Sequence, residues 1–304
     1  IHVLLVEDNE ELRKLEKSMK IQSNYRQTNY KQMRRKNRRG LLKSETFRCF
    51  CSWHFLLTVF GVVYVCMLGI FQTLTQAVKN QQVRELFSSV QAIEQSLVFD
   101  QYKSLLVAVL AGLYSYTFAR DYNYHNIRNL LVRVSYKDYV TTKVLVNIGG
   151  TIASVIIGFL LTSFLTIPVM PLESSADISY NSDAFRTLMT NPSGAVLYLV
   201  LLGTNFGLAA AALTTAGMAL SVWSPNSYVA IGGSVLLFYF LYSVSLLLPD
   251  RVSFEWISSG LQSLPSENPI WVAVYHLGFL LICNVFSGLF FYYAVRKRYQ
   301  NGDL

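Results

Sequence analysis

Residues 144–170 read VLVNIGGTIASVIIGFLLTSFLTIPVM, an apolar stretch that contains no charged side chain. A helix needs about 20 mostly apolar residues to cross the hydrocarbon core of a bilayer, so this stretch is long enough to span a membrane. Five further stretches are also predicted to span it, which makes the chain an all-α membrane protein with six transmembrane helices. The five are Trp53–Phe71, Phe99–Ala119, Ala195–Val222, Tyr228–Leu248 and Trp271–Val295.

The second predicted span is the weakest of the six. Asp100 and Lys103 interrupt its beginning, and we expect both side chains to extend to the membrane interface. The loop before it, residues 72–98, is predicted to form an amphipathic helix outside the membrane or one that folds back into the outer leaflet. The residues on the apolar face of that helix are Val83, Leu86, Val90, Ile93 and Leu97.

The overall composition excludes several classes of protein. Of the 304 residues, 52% are hydrophobic and 14% are charged, whereas an ordinary soluble domain has about 25% charged residues. Mean hydropathy is positive, at +0.34. These values argue against a soluble enzyme, a disordered protein and a nucleic-acid-binding domain. The net charge of +8 on such a chain makes the position of the basic residues the next question.

Most of the basic residues lie on one side of the predicted spans. Of the 26 lysines and arginines, 21 precede the first span, lie between spans two and three, or follow the sixth. The positive-inside rule therefore predicts that both termini are cytoplasmic. We expect the membrane to be the cytoplasmic membrane of a bacterial cell. The predicted organisation is a basic cytoplasmic segment at 1–40, a six-helix transmembrane domain at 41–298 and a cytoplasmic tail at 299–304.

The segment before the first span has three parts. Residues 1–12 resemble the opening of a response-regulator receiver domain, but the next aspartate after Asp8 is Asp100, within the membrane region, so we interpret them as a strand or coil leading into a soluble helix. The six basic residues of Lys31–Arg39 suit anionic lipid headgroups. Residues 41–50 are predicted to form a helix lying in the interface. Its apolar side would be Leu41, Leu42, Phe47 and Phe50, and its polar side Lys43, Glu45 and Arg48.

The loop at residues 118–143 is predicted to contain a second amphipathic helix. Tyr124, Ile127, Leu130, Leu131 and Val134 recur at helical spacing, and basic residues occupy the remaining positions. Such a helix can pack into a groove of a soluble partner or lie on the membrane. A passive interfacial connector is the alternative.

Two segments, residues 43–48 ahead of the first span and residues 121–143 between spans two and three, together resemble the permeases of ABC-2-type transporters, which are the membrane-spanning subunits of ATP-binding cassette transporters. One is the helix ahead of the first span, with Lys43, Ser44, Glu45 and Arg48. The other is the loop between spans two and three, with Asp121, Asn126, Arg128, Leu130, Leu131, Ser135, Lys137 and Lys143. The loop departs from the family pattern where Arg120 precedes the acid, where His125–Asn126 replace the usual Gly-Thr, and where Tyr136 separates Ser135 from Lys137.

The resemblance implies a set of partners and a role for that loop. Two membrane subunits, identical or homologous, would work with two separate ABC ATPase subunits, which bind the ATP and Mg²⁺; no cofactor is expected on this chain. The loop helix would be the coupling helix that docks on the ATPase. The residues implied for this coupling are Asp121, Tyr124, Ile127, Arg128, Leu130, Leu131, Arg133 and Lys137.

The spans carry few polar groups, and no carboxylate or lysine is predicted at mid-depth, which disfavours ion-coupled transport. Their softer polar and small residues either line a translocation path or join helices, and joining is favoured because a polar group in lipid must find a partner. The candidates for either role are Asn147, Gly203, Asn205, Gly207 and Asn284.

The catalytic motifs that we searched for are missing from the sequence. It has no Gly-x-x-x-x-Gly-Lys-Ser/Thr loop, so ATP hydrolysis is assigned to a partner chain and this chain is not expected to be an enzyme. Cys49 and Cys51 lack a second Cys or His pair nearby, so no metal site is expected. The predicted function is export of amphipathic cargo such as peptides or antimicrobial compounds. The alternative is a membrane sensor or regulatory subunit that does not itself transport.

Overall fold

The computed structural model describes residues 37–302 except for 82–83, 85–86, 174–184 and 262–267. Over this part of the chain every regular element is a helix, which confirms the all-α prediction there. The receiver-like residues 1–12, most of the basic segment Lys31–Arg39, and the side chains of Val83 and Leu86 lie outside the described residues.

The first half of the chain alternates one long helix with several short ones. Its helices are α1 (37–50), α2 (Trp53–Lys79), α3 (Ser89–Val98), α4 (Asp100–Tyr114), α5 (Thr117–Asn123) and α6 (Asn126–Arg133). The second half is dominated by long helices. These and their short companions are α7 (Tyr136–Thr166), α8 (Arg186–Met189), α9 (Pro192–Trp223), α10 (Ser227–Ser245), α11 (Phe254–Ser259) and α12 (Pro269–Gln300).

The long helices begin at residues that favour helix starts. Ser52 accepts a hydrogen bond from the backbone N–H of Phe55 at the start of α2, and Asn268 accepts one from Ile270 at the start of α12. Pro192 and Pro269 occupy the first turns of α9 and α12, where proline removes only an N–H that would have no partner within the helix.

Five helices of the described residues, α2, α7, α9, α10 and α12, are individually long and apolar enough to cross a membrane. The second predicted span is a broken element rather than one straight helix. α4 has 15 residues and so is about 22 Å long, short of the roughly 30 Å of hydrocarbon. A sixth span results only if α3 and the α4–α5 segment, which meet at 91°, are counted together.

The bend between α3 and α4 lies at Phe99, whose backbone is extended, and the other end of α3 is fixed separately. Ser88 and Gln91 form a reciprocal capping box that starts α3 as a separate helix. The start of α3 is also attached to the end of the third predicted span, because the Ser89 backbone N–H donates to the carbonyl of Pro171 at 2.8 Å. Val90, Ile93 and Leu97 of α3 are fully buried, so the helix folds back into the protein.

Helix α9 is the centre of the bundle. Within its most apolar stretch, 72% of the residues are buried, against 22% to 44% for the other membrane-length helices. It packs against α7, α10 and α12, and also reaches α4. Helices α7, α10 and α12 each keep one side against α9, whereas α2 packs on α7 and α4. All four also turn apolar side chains outward, which is the arrangement expected of a bundle surrounded by lipid.

Candidate functional site

Four charged side chains from three helices meet inside one end of the bundle. Glu45 and Arg48 come from α1, Asp121 from α5 and Lys143 from near the start of α7. The exposed fractions are 4% for Glu45, 1% for Asp121 and 0% for Lys143. Two acids and two bases give this group no net formal charge. We call it the four-charge cluster, and the end of the bundle that holds it the basic end.

Each cation of the four-charge cluster bridges both acids. The Lys143 Nζ lies 3.0 Å from Glu45 Oε2 and 2.8 Å from Asp121 Oδ2. The Arg48 Nη1 lies 2.8 Å from Asp121 Oδ1 and 3.5 Å from Glu45 Oε1. All four carboxylate oxygens therefore face a cation. Because a buried ion without a partner costs several kcal/mol, this ring attaches α1, α5 and α7 to one another.

Two tyrosines enclose the cluster. The Tyr114 hydroxyl donates to Glu45 Oε2 at 2.5 Å, and the Tyr139 hydroxyl donates to Asp121 Oδ2 at 3.4 Å. The Lys143 ammonium lies 5.1 Å from the ring centroid of Tyr114 and 5.6 Å from that of Tyr139. The rings keep water away from the lysine and interact favourably with its charge.

The surroundings of α1 shift the pKa values of two of its side chains. Burial would lower the pKa of the Arg48 guanidinium, but the adjacent Asp121 and Glu45 carboxylates outweigh it and raise that pKa above its ordinary value. Arg48 therefore keeps its charge. Burial raises the pKa of the Cys49 thiol to about 12, with a further contribution from Glu45. Cys49 is therefore protonated at neutral pH.

The structure differs from the predicted sides of α1 at Glu45, which is predicted on the polar side and is buried. Leu41, Glu45 and Cys49, four residues apart, form the inward stripe, with exposed fractions of 7%, 4% and 1%. Phe47 is 69% exposed. Next to a membrane span, an exposed phenylalanine meets lipid at no cost, whereas a glutamate can face inward only because Lys143 and Arg48 are there to pair with it.

Helix α6 divides most of the predicted coupling residues between two sides. Its inward side packs onto the bundle and consists of Ile127, which is 2% exposed, with the half-buried Leu130 and Leu131. The outward residues in and beside α6 are Tyr124, which is 71% exposed, Arg128, Arg133 and Lys137. Asp121 belongs to the four-charge cluster instead. The sequence periodicity did not separate Tyr124 from the inward stripe because the helix begins only at Asn126.

The backbone at the start of α6 explains why Tyr124 lies outside the helix. His125 precedes it with φ = 56°, in the left-handed region, and makes no side-chain cap. Residues other than glycine adopt this conformation at a cost of roughly 1–2 kcal/mol. This is the position at which the resemblance leads one to expect glycine. The conformation turns the chain between α5 and α6 and directs Tyr124 away from the bundle.

The loop that carries α6 is also attached to the end of α12 and to the turn between α9 and α10. The Arg298 guanidinium lies 4.4 Å from the ring centroid of Tyr122 and donates to the carbonyl of Val222. The Asn123 side-chain amide donates to the carbonyl of Pro225 at 3.2 Å. The loop, the turn and the carboxyl-terminal helix therefore form one connected layer at the basic end.

The three asparagines predicted to line a path or join helices all donate hydrogen bonds to a neighbouring helix. They are almost fully buried, with exposed fractions of 0% to 3%. The bonds are Asn147 to the Thr214 and Thr215 hydroxyls at 2.9 and 3.0 Å, Asn205 to the Ile257 carbonyl at 2.7 Å, and Asn284 to the Leu208 carbonyl at 2.8 Å. Each bond has α9 as donor or acceptor.

Gly203 and Gly207 are also packing positions. A Cβ added to Gly207 would lie 2.8 Å from the Cα of Ile152, and one added to Gly203 would lie 3.2 Å from the Cα of Ile156. The two glycines therefore let the backbones of α7 and α9 approach closely, as small residues four apart do in membrane helices.

A second group of charges lies at the opposite end of the bundle and corrects the prediction for Lys103. Its side chain does not extend out of the bundle; it is 0% exposed. The Nζ lies 2.9 Å from an Asp100 oxygen, 2.6 Å from Glu255 Oε1 and 2.9 Å from Ser259 Oγ. The bend between α3 and α4 places the start of α4 beside α11, so the amine finds partners inside the protein.

Comparison with known proteins identified no relative of this chain. No family model matches the sequence, and neither the curated proteins nor the solved structures yield a match. Among the described residues, no group of three His, Cys, Asp or Glu side chains could hold a metal ion. The geometry of the basic end and the resemblance of its residues are therefore the basis for a functional proposal.

Proposed function

We propose that this chain is the permease subunit of an ABC-2-type transporter, which exports amphipathic cargo such as peptides or antimicrobial compounds. ATP would be bound with Mg²⁺ and hydrolysed on a separate ATPase subunit. The observation that carries the proposal is the four-charge cluster. Both sequence segments that resemble the family contribute to it, Glu45 and Arg48 from one and Asp121 and Lys143 from the other.

The arrangement of the basic end supports a coupling role for α6. The outward residues in and beside α6, Tyr124, Arg128 and Arg133, are available to a soluble partner, while Ile127 packs on the bundle. A partner that moves α6 would also displace α5, and through Asp121 it would pull on Arg48 of α1 and Lys143 of α7. In this proposal the basic end is cytoplasmic and both termini lie on that side.

The packing of the spans favours a cargo route shared by two permease subunits. The candidate path residues Asn147, Asn205 and Asn284 all donate hydrogen bonds to other parts of the bundle. The outward faces of the long helices are apolar, as Phe60, Phe240 and Phe286 illustrate. An amphipathic molecule suits a passage along such faces better than a small ion does.

The test is to search the neighbouring genes for a P-loop ATPase, to co-express that ATPase with the chain, and to measure co-purification, ATPase rate and efflux of an amphipathic peptide. The double variant Arg128→Glu with Val132→Asp alters the outward side of α6, where Val132 is 88% exposed. We expect ATPase binding to weaken about 30-fold, since hot-spot substitutions at interfaces cost roughly 2 kcal/mol or more.

The matched control changes the same residue types at the opposite end, with Arg84→Glu and Val78→Asp, both of them exposed positions. The control should retain ATPase binding and transport. If the α6 double variant binds the ATPase and transports as well as the wild type, the coupling assignment is wrong. ATPase binding without transport of any amphipathic peptide would favour the regulatory alternative.

A further inference from the structure

A cleft of about 650 Å³ opens at the basic end between α1 and α6. Its α1 wall includes Ser44 and Arg48, and its α6 wall includes Asn126, Asn129 and Arg133. Glu45 and Asp121 of the four-charge cluster also border it. The volume falls within the range of about 300–1,000 Å³ that is typical of small-molecule sites.

The cleft offers hydrogen-bond donors although two carboxylates border it. The oxygens of Glu45 and Asp121 face Arg48 and Lys143, so their negative charge is balanced within the cluster. Arg48 contacts both acids through Nη1, and its side chain is 28% exposed. Arg133 adds a positive charge that no acid of the cluster balances. A guanidinium presents five N–H donors, and an arginine often binds a phosphate group through two parallel hydrogen bonds.

The location of the cleft favours a lipid as the source of the phosphate. It lies beside α1, immediately ahead of the membrane-length helix α2, and the segment just before a spanning helix is at the depth of lipid headgroups. Phe47 on α1 is 69% exposed and Trp53 at the start of α2 is 70% exposed, as expected of side chains in contact with acyl chains and the interface. Leu41 and Leu130 also line the cleft, so its walls are partly apolar.

We propose that this cleft binds the phosphate group of an anionic phospholipid, with Arg48 and Arg133 as charged ligands and Asn126 and Asn129 as neutral donors. A lipid held there contacts α1 and α6 together and restricts the movement of one helix relative to the other. The proposal goes beyond the transport function, because it applies to the chain with or without an ATPase partner.

The experiment measures lipid binding to the purified full-length chain by native mass spectrometry after exchange into a lipid-free detergent. The probes are phosphatidylglycerol, phosphatidylcholine with the same acyl chains, and inorganic phosphate. Arg133→Gln removes one cleft cation, and Arg128→Gln is its matched control, because Arg128 is exposed on the same helix and does not line the cleft. We expect Arg133→Gln to weaken phosphatidylglycerol binding about fivefold, the effect of one basic group near a lipid surface.

Asn129→Leu provides a second variant that keeps the charge. It should also weaken binding of phosphatidylglycerol, whereas Arg128→Gln should leave that binding unchanged. The proposal is overturned if phosphatidylglycerol binds no better than phosphatidylcholine, or if Arg128→Gln and Arg133→Gln weaken it equally. It is also overturned if inorganic phosphate alone occupies the site and the lipid does not compete with it. Each variant is first checked for a monodisperse elution profile, so loss of folding is not read as loss of binding.

Discussion

Lys143 and Lys103 are fully buried amines at opposite ends of the bundle, and each has two carboxylate partners. The two groups of charged side chains differ in net formal charge. Lys143 shares its acids with Arg48, so that cluster is neutral, whereas Lys103 alone faces Asp100 and Glu255. Lysine is rarely buried unless it is paired, so the acids explain why both side chains lie inside the protein.

Cys49 and Cys51 allow a residue-level test of how α1 is seated. Cys49 is 1% exposed and its thiol has a pKa of about 12, while Cys51 is exposed. In variants that retain only one of the two, on permeabilised membranes at pH 8, we expect a maleimide to modify Cys49 at less than about a tenth of the rate for Cys51, because only the thiolate reacts.

The raised pKa of Cys49 also determines how its labelling rate depends on pH. A raised pKa keeps the Cys49 thiol neutral until pH approaches 12, so its labelling rate should stay low across the neutral range. Equal rates for Cys49 and Cys51 at pH 8 would show that the inward stripe of α1 is exposed and would contradict the described position of Glu45 as well.

At the level of the elements, the close contact of α7 and α9 depends on glycine. The Cα of Ile152 lies where a side chain at Gly207 would need space. A rotamer change cannot relieve a Cβ that lies 2.8 Å from a backbone atom. One helix must therefore move away from the other. The Asn147 hydrogen bonds to Thr214 and Thr215 cross the same helix pair and would lengthen with any such movement.

We therefore expect Gly207→Ala to lower the thermal unfolding temperature in detergent, with a loss of stability of about 1–3 kcal/mol from overpacking. Gly232→Ala in α10 is the matched control, since no atom lies within 4 Å of its added Cβ. That control should leave stability unchanged or raise it by up to about 1 kcal/mol, because alanine favours helix more than glycine does. Equal losses in both variants would mean that α7 and α9 are further apart than described.

Considered as a whole molecule, the bundle is tied together by polar contacts at both ends. The four-charge cluster joins α1, α5 and α7 at the basic end. At the other end, Lys103 of α4 and Asn205 of α9 both hold α11, through Glu255 and the Ile257 carbonyl respectively. Because lipid provides no hydrophobic force between helices, such contacts have a larger share in holding the bundle together than they would in water.

Replacing Lys103 tests how much the charged group opposite the basic end contributes to the stability of the bundle. Lys103→Met removes the cation that pairs with both Asp100 and Glu255; their side chains are 35% and 20% exposed, so partial hydration limits the penalty. We expect a loss of about 2 kcal/mol, below the 3–5 kcal/mol of a fully buried pair, measured by thermal unfolding. Lys79→Met, at an exposed lysine in the last turn of α2, is the control and should have little effect.

A double variant separates the charge effect from lost packing. Lys103→Met with Glu255→Gln removes one of the two uncompensated acids, so it should recover part of the stability lost in the single variant. If the double variant is no more stable than Lys103→Met alone, the lysine contributes through its aliphatic chain rather than through its charge.

The sequence alone determined the properties that depend on residues close to one another along the chain. Apolar runs of sufficient length, such as residues 144–170, predict membrane helices because the hydrocarbon core has a known thickness. The spans predicted from Ala195 and Trp271 fall within α9 and α12, which begin at Pro192 and Pro269. The one-sided distribution of lysine and arginine leads to an orientation, which remains a prediction. All of these signals lie within a few tens of residues or in the composition itself.

Only the tertiary structure decided which charged groups lie inside. The Glu45–Lys143 and Lys103–Glu255 pairs join residues 98 and 152 positions apart, so periodicity within one helix cannot reveal them. For this reason the predictions placed Glu45 on the polar side of an interfacial helix and Lys103 at the interface, while the fold buries both beside their partners. A buried charge is stable only where opposite charges converge, and that convergence depends on how the helices pack.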